Sequence, residues 1–209
     1  MTIRTLGRVS LAAIVIGYAA GVAALPWLPG PYLDNDAPLV VRLALAFVLP
    51  TAALVTGVAL DTVVTRATAV APHAETARAA RAIGTFTVLF IVALHGLVLA
   101  SLLGLSIGPI PAPRLVVVLF GLLLIGIGNV LPRLRPNAVV GIHTRSLIDD
   151  RAAWARMHRL AGYFLVLLGA LAIGVGLTLS KSLIPLTLTA AAAAGATVNL
   201  AAYRRWTRA

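Results

Sequence analysis

The sequence contains no cysteine, little charge and few aromatic residues. Without cysteine the chain can form no disulfide, thiolate zinc site, iron–sulfur cluster or cysteine nucleophile. Only 11% of its residues are charged and 6% are aromatic, whereas a soluble domain carries about 25% charged residues. A water-soluble globule is therefore excluded, because too few polar side chains are present to cover its core.

Apolar residues dominate what is present. They make up 60% of the 209 residues, and the mean hydropathy of +1.00 also excludes intrinsic disorder. The apolar runs lack the alternation of membrane β-barrel strands. We therefore predict an all-α polytopic membrane bundle with six transmembrane helices, in which residues 1–209 form a single transmembrane domain. The runs long enough to span a bilayer are approximately residues 10–28, 39–60, 83–105, 115–131, 160–179 and 183–203.

The first apolar run also resembles a signal peptide. Arg4 and Arg8 precede it, and Ala23 and Ala24 lie near its end. The run continues through Leu28, which is long for a signal, so we interpret it as a retained helix. Cleavage would leave five spans and would not change the orientation of the others.

Basic residues are distributed unevenly between the two sides of the predicted bundle. One side, which includes both termini, carries 14 arginines, whereas the other carries only Arg114 and Lys181. Because cytoplasmic loops concentrate basic residues, we expect both termini in the cytoplasm. The net charge of +11 would suggest nucleic acid in a soluble protein. Here we attribute it to topology and expect the lipid bilayer, and no nucleic acid, as partner.

Two polar residues lie inside predicted spans. His95 is near the middle of the third, where a polar side chain is costly and is a candidate for function. It can be a hydrogen-bonded packing residue or a working site, and we expect it to face the bundle interior and find a polar partner. Conceivable partners are Thr56, Ser101 and Asn199. Arg42 lies about one turn into the second span and can reach the interface with its side chain.

Small residues have spacings that favour close helix packing. Gly17 and Gly21 form a GxxxG pattern in the first span, and Gly126 and Gly128 lie near the end of the fourth. Ala190–Ala194 is a similar run in the last span. The contacts can lie within the chain or in a dimer, and the sequence leaves the oligomeric state open. No convincing inverted repeat is present, which disfavours a secondary transporter.

The connection after the fourth span is the most informative part of the chain. Pro132 and Pro136 are expected to end the helix and favour an extended path. Asn129 and Asn137 can bond the backbone groups that such a break frees.

A further helix is predicted to begin near Arg151. Ser146 and Asp149 resemble a capping box, and either Asp149 or Asp150 can cap the new helix. On that helix Trp154 and His158 are four residues apart and share a face. The basic residues expected at headgroup level are Arg151, Arg156 and Arg159.

At these residues the sequence resembles the SdpI family of bacterial membrane immunity proteins. The family motif runs roughly G-N-x-x-P, then N, then G-I-R-T-P-W, and finally W-x-x-T-H-R, and the resemblance covers about residues 115–180. The matching positions are Gly128, Asn129, Pro132, Asn137, Gly141, Ile142, Thr144, Trp154, His158 and Arg159. The positions that depart from the motif are His143, Arg145, Ser146 and Met157. The loop at 26–38 is short and lacks the histidine of many relatives.

The resemblance implies a small non-enzymatic protein that protects its producer from a secreted toxic peptide, in some cases also relaying a signal to a cytoplasmic regulator. It also places the chain in the bacterial cell membrane, and we predict no cofactor. Taken without the resemblance, the connection can also be a structural elbow between helices. The alternative function is a small transporter or channel with His95 in its path, and a membrane enzyme is a lesser third.

Metal binding and catalysis have little support in the sequence. Possible ligands are His143, Asp149, Asp150 and His158, but their spacing is unlike that of common zinc sites, and we predict no metal site. No G-x-S-x-G pattern, P-loop or intramembrane carboxylate pair occurs, so no catalytic residue is predicted. Asp61 and Glu75 lie at the cytoplasmic edge and are expected to be solvated.

Overall fold

The computed structural model describes residues 7–28, 38–70, 74–106, 108–137, 140–180 and 182–207. Within these ranges all the regular secondary structure is helical. The helices are α1 (Arg8–Ala24), α2 (Leu39–Val70), α3 (Ala74–Leu102), α4 (Ala112–Val130), α5 (Arg145–Asp149), α6 (Arg151–Thr178) and α7 (Leu183–Thr207). Short 3-10 turns at Leu25–Trp27 and Leu131–Arg133 follow α1 and α4.

Six of these helices are long and apolar enough to cross a membrane, which confirms the predicted polytopic bundle. The short α5 was not predicted. Three helices are longer than their apolar runs, because polar ends rich in alanine and arginine continue the helical geometry. Thus α2 runs on to Val70, α3 begins at Ala74, and α6 begins at Arg151.

The helices pack in two groups joined through α3 and α4. The first group contains α1, α2 and α3, and the second contains α4, α6 and α7. In the first group, Ala13, Ile14, Ala53 and Val88 form a buried core. Leucine and valine are exposed on the outer faces of all six long helices, as lipid-facing surfaces require.

Glycines set the distance between α4 and α6. A Cβ at Gly128 would lie 2.7 Å from the Gly162 carbonyl oxygen, and one at Gly121 would lie 2.6 Å from that of Gly169. The two pairs are seven residues apart on each antiparallel helix, so they recur along one seam. The prediction that glycine serves close helix packing is confirmed.

The other predicted packing glycines also meet neighbouring helices. A Cβ at Gly126 would lie 2.9 Å from the Phe86 ring on α3, so Gly126 and Gly128 serve opposite faces of α4. Gly17 approaches Pro50 on α2, and Gly21 is pressed against the Ala46 backbone. These contacts all lie within the chain.

Candidate functional site at the α4–α6 connection

The α4–α6 connection, residues 131–150, begins where α4 is broken at its end. The last α-helical residue is Val130, and Pro132 lies within the 3-10 turn that follows. Leu134 then adopts an extended conformation and its side chain is buried. The predicted effect of the prolines is confirmed at Pro132, which ends the regular helix and releases backbone carbonyls for other partners.

Asn137 holds the middle of the connection together. Its Nδ2 donates to the backbone oxygens of Arg135 at 2.7 Å and Val140 at 3.1 Å. Its Oδ1 accepts from the Val140 amide at 2.8 Å. Asn129, by contrast, is exposed on the last turn of α4. The predicted backbone-bonding role therefore applies to Asn137, and within the described residues it is wrong for Asn129.

Trp154 is the largest side chain buried beneath the connection. It is only 1% exposed, and its indole Nε1 donates to the Leu134 carbonyl at 2.7 Å. This bond ties the first turn of α6 to the segment that follows α4. The buried cluster around it contains Ala79, Val130, Leu131, Leu134, Leu147, Ala153, Met157 and Ala161.

His158 stacks on Trp154, so the predicted shared face is confirmed. The ring centroids are 4.1 Å apart with an interplanar angle of 18°, and His158 is 0% exposed. Its Nε2 lies 3.1 Å from the Ile142 amide, which can only donate, so Nε2 is the acceptor. Its Nδ1 then carries the proton and donates to the Trp154 carbonyl at 3.0 Å. Both ring nitrogens are thus used within the fold, in the neutral state.

Gly141 lets the connection pass directly over this pair of rings. Its φ of +124° is a backbone conformation that other residues rarely adopt. A Cβ there would also clash with His158 Nε2 and lie 3.3 Å from Trp154 Cζ2. Glycine is therefore required at this position by both the backbone and the packing.

The second half of the connection contains the caps and a chain of hydroxyl groups. Asp150 accepts from the Ala152 and Ala153 amides at 2.7 and 3.0 Å, which confirms the predicted cap of α6. These two hydrogen bonds, of which the one from Ala153 has the larger effect, hold the pKa of Asp150 below its usual value.

Ser146 and Asp149 instead lie within α5, so the predicted capping box is wrong. The Ser146 hydroxyl lies 3.2 Å from Thr144 and 3.3 Å from Tyr203 of α7.

The positions that depart from the motif divide into buried and exposed residues. Met157 is buried in the Trp154 cluster. His143, Arg145 and Ser146 are exposed, and the His143 ring meets the edge of Trp154 with centroids 6.0 Å apart. Arg159 matches the motif but lies on the exposed side of α6, where its Nε donates to the Ala155 carbonyl at 3.3 Å.

The comparisons with known proteins concern this same region. Residues 133–201 match the family model of the SdpI/YfhL protein family. The match confirms the resemblance, and it extends beyond the predicted 115–180 into α7 while omitting Gly128, Asn129 and Pro132 at its start. No curated protein and no solved structure matches the chain.

Within the SdpI/YfhL match, the possible metal ligands do not come together. Among the described residues no group of three histidine, aspartate or glutamate side chains could hold a metal ion. His158 has both nitrogens engaged, and Asp150 caps α6. The arrangement supports a folded element whose buried side chains fix the path of the backbone.

Several contacts of the matched region are not predicted by the sequence. The Arg135 amide donates to Thr76 Oγ1 at 3.1 Å, and the Arg135 guanidinium binds Glu75 Oε2 at 2.9 Å. Both partners lie on the first turn of α3, about 60 residues earlier in the chain. Nothing in a single sequence signals such pairs. Glu75 is exposed, as expected, whereas Asp61 is buried and 3.5 Å from Arg81, so the expectation that Asp61 is solvated is wrong.

His95 and Arg42 lie outside the SdpI/YfhL match. His95 is 1% exposed, which confirms that it faces the bundle interior. The Gly17 backbone lies close to the ring, but neither ring nitrogen has a side-chain partner within the described residues, so the conceivable partners Thr56, Ser101 and Asn199 are wrong there. Two of the conceivable partners, Ser101 and Asn199, bond carbonyls of their own helices. Arg42 is half-buried on the first turn of α2.

Proposed function

We propose that this multi-pass membrane protein is a non-enzymatic immunity or signalling protein of the SdpI type. In this role it protects the cell against a toxic peptide or relays a signal to a cytoplasmic regulator, without a cofactor. One observation carries the proposal. The region that matches the SdpI/YfhL family model includes most of the α4–α6 connection, whose polar side chains are held in a defined arrangement by hydrogen bonds.

The geometry divides the connection into a supporting layer and an exposed layer. The supporting layer consists of Asn137, Trp154 and His158. Their hydrogen-bonding groups are already bonded to backbone groups, so these side chains are poorly placed to bind a partner. The exposed side chains above them include His143, Arg145 and Asp149. We assign partner recognition to this exposed layer and support of its shape to the buried layer.

The same proposal places both termini and the α4–α6 connection in the cytoplasm, with the chain in the bacterial cell membrane. It is supported by the 14 arginines on one side of the bundle against two basic residues on the other. A reporter fused after residue 145 is expected to be active only in its cytoplasmic form, and a reporter after residue 110 only in its exported form. Exchange of the two results would contradict the orientation.

A transporter or channel that uses His95 is the second candidate, and its unpartnered ring nitrogens favour it. Transport through His95 requires a water-filled path that reaches the ring. His95 lines neither the cavity at the α4–α6 connection, nor the one at the turn between α3 and α4, nor the one beside Asp61. None of these three cavities therefore supplies such a path.

The function is tested in sensitive cells that carry either the chain or an empty vector. The cells are challenged with membrane-active toxic peptides, and survival is counted against the amount of protein in the membrane. We expect the chain to raise survival with at least one such peptide while ion and solute uptake stay unchanged. Unchanged survival with every peptide, together with a new His95-dependent uptake, would favour the transporter.

A further inference from the structure

A cavity of about 710 Å³ lies beside the α4–α6 connection, apart from the exposed layer assigned to partner recognition. Its walls are the first turn of α3, the 3-10 turn after α4 and the start of α6. This volume is within the range of about 300–1,000 Å³ that is typical of small-molecule sites. The charged or aromatic residues that line it are Glu75, Arg78, Arg133, Arg135, Arg151 and Trp154.

The cavity carries an excess of positive charge. Four arginines face one carboxylate across its walls, which gives a net charge of +3. Arg135 is paired with Glu75 at 2.9 Å. Arg133 and Arg151 have no carboxylate within salt-bridge distance among the described residues. Guanidinium groups that line one cavity without a paired carboxylate attract an anion, and they suit phosphate in particular.

Part of the cavity lining is apolar. It includes Ala79, Ala82, Val130 and Trp154. The indole N–H is already bonded to the Leu134 carbonyl, so the ring has no donor left for the cavity. A ligand that satisfies both surfaces has an anionic head and an apolar body.

The position of the cavity along the helices agrees with such a ligand. It lies where the apolar run of α4 ends, near Leu131, and before the apolar run of α3 begins, near Ile83. Arginines at this level reach the depth of the lipid headgroups, and basic pockets between helix ends bind phosphate headgroups. We propose that this cavity binds the phosphate headgroup of an anionic phospholipid, with Arg133 and Arg151 as its principal ligands.

The proposal is tested by titrating phosphatidylglycerol into the purified full chain in neutral detergent. The melting temperature reports binding, because a ligand that binds only the folded state raises it. Phosphatidylcholine and inorganic phosphate are titrated in parallel. We expect saturable stabilisation by phosphatidylglycerol, little effect of phosphatidylcholine, and weak competition by inorganic phosphate.

Two pairs of variants distinguish specific lipid binding in the cavity from general electrostatic attraction of anionic lipid to the protein surface. Arg133→Gln with Arg151→Gln should weaken phosphatidylglycerol binding by about tenfold or more, because it removes both proposed ligands of the phosphate. Arg204→Gln with Arg205→Gln removes the same charge from an exposed part of α7 outside the cavity, where solvent and salt screen it, and should change binding less than about twofold. Glu75→Gln should strengthen binding by freeing Arg135, whereas Asp149→Asn, outside the cavity, should not.

Three results would overturn the proposal. The first is an equal loss of phosphatidylglycerol affinity in the two double arginine variants, which would indicate general attraction to the protein surface. The second is full stabilisation by inorganic phosphate with no further gain from phosphatidylglycerol, which would indicate a free-phosphate site. The third is saturable stabilisation by an acidic peptide such as pentaglutamate with none by phosphatidylglycerol, which would indicate a protein partner.

Discussion

Among the residues that the structure describes, two histidines are fully buried, in two very different settings. His158 has both ring nitrogens bonded and stacks on Trp154, whereas His95 has no hydrogen-bond partner within the described residues. The first ties the α4–α6 connection to α6, and the second lies among apolar helices of the first group. The difference shows that burial alone does not indicate the role of a polar side chain. The hydrogen-bond partners of the side chain indicate whether the residue stabilises the fold.

The largest expected effect comes from removing the ring on which His158 stacks. Trp154→Ala should lower the free energy of unfolding by about 3–5 kcal/mol, because it leaves a cavity at the centre of the buried cluster. Trp154→Phe keeps much of the ring but leaves the Leu134 carbonyl without its donor, and should cost about 1–3 kcal/mol. Denaturant unfolding in detergent measures both. Equal losses for the two variants would show that the hydrogen bond, and not the packing, dominates.

The next effect tests His158 itself. His158→Ala should cost about 2–4 kcal/mol, since it removes the stacked ring and leaves the Ile142 amide without an acceptor. His158→Phe restores the ring but not the acceptor and should recover only part of the loss. The same unfolding experiment applies. Full recovery by phenylalanine would mean that the Ile142 bond contributes nothing.

A much smaller effect is expected at His95. His95→Leu exchanges an unpartnered polar ring for an apolar side chain of similar size, so the free energy of unfolding should change by less than about 1 kcal/mol. His95→Ala serves as the control for lost volume and should be less stable than His95→Leu. If His95→Leu cost as much as His158→Ala, the comparison between the histidines would fail.

The smallest effect concerns the cap at the start of the helix that carries His158. The pKa of Asp150 is held below its usual value of 3.8 in the folded state. Its contribution to stability is therefore complete above that value and is lost as the pH falls through the lower folded-state pKa. Asp150→Asn, which can also cap, should leave the melting temperature near normal at pH 7 and remove this part of the acid dependence. An unchanged acid dependence in the variant would exclude Asp150 as its source.

Much of the bundle could be predicted from the sequence because hydropathy and helical spacing are local properties. They give the six spans, the shared face of Trp154 and His158, and the cap near Arg151. Helix ends were less predictable, since polar turns such as the first turn of α3 continue the helix beyond the apolar run. The position of Pro132 predicted the break but not the acceptor that it exposes at Leu134.

The contacts that a single sequence cannot give are those between distant segments. The Glu75–Arg135 pair and the approach of Gly141 to His158 depend on how the connection folds back. The failed expectation for His95 has a local reason. Ser101 and Asn199 have carbonyls of their own helices within reach, and such bonds form more readily than one across the bundle.

The central claim is that the exposed layer of the α4–α6 connection recognises the partner, and that the buried layer maintains the shape of the exposed layer. The most direct test measures survival against a toxic peptide per folded molecule in the membrane. Arg145→Ala with Asp149→Ala should abolish protection at normal abundance, while Arg204→Ala and His95→Leu keep it. His158→Ala should lower abundance, and protection should fall at least as far. Full protection per molecule by the Arg145→Ala, Asp149→Ala variant, with loss in His95→Leu, would contradict the account.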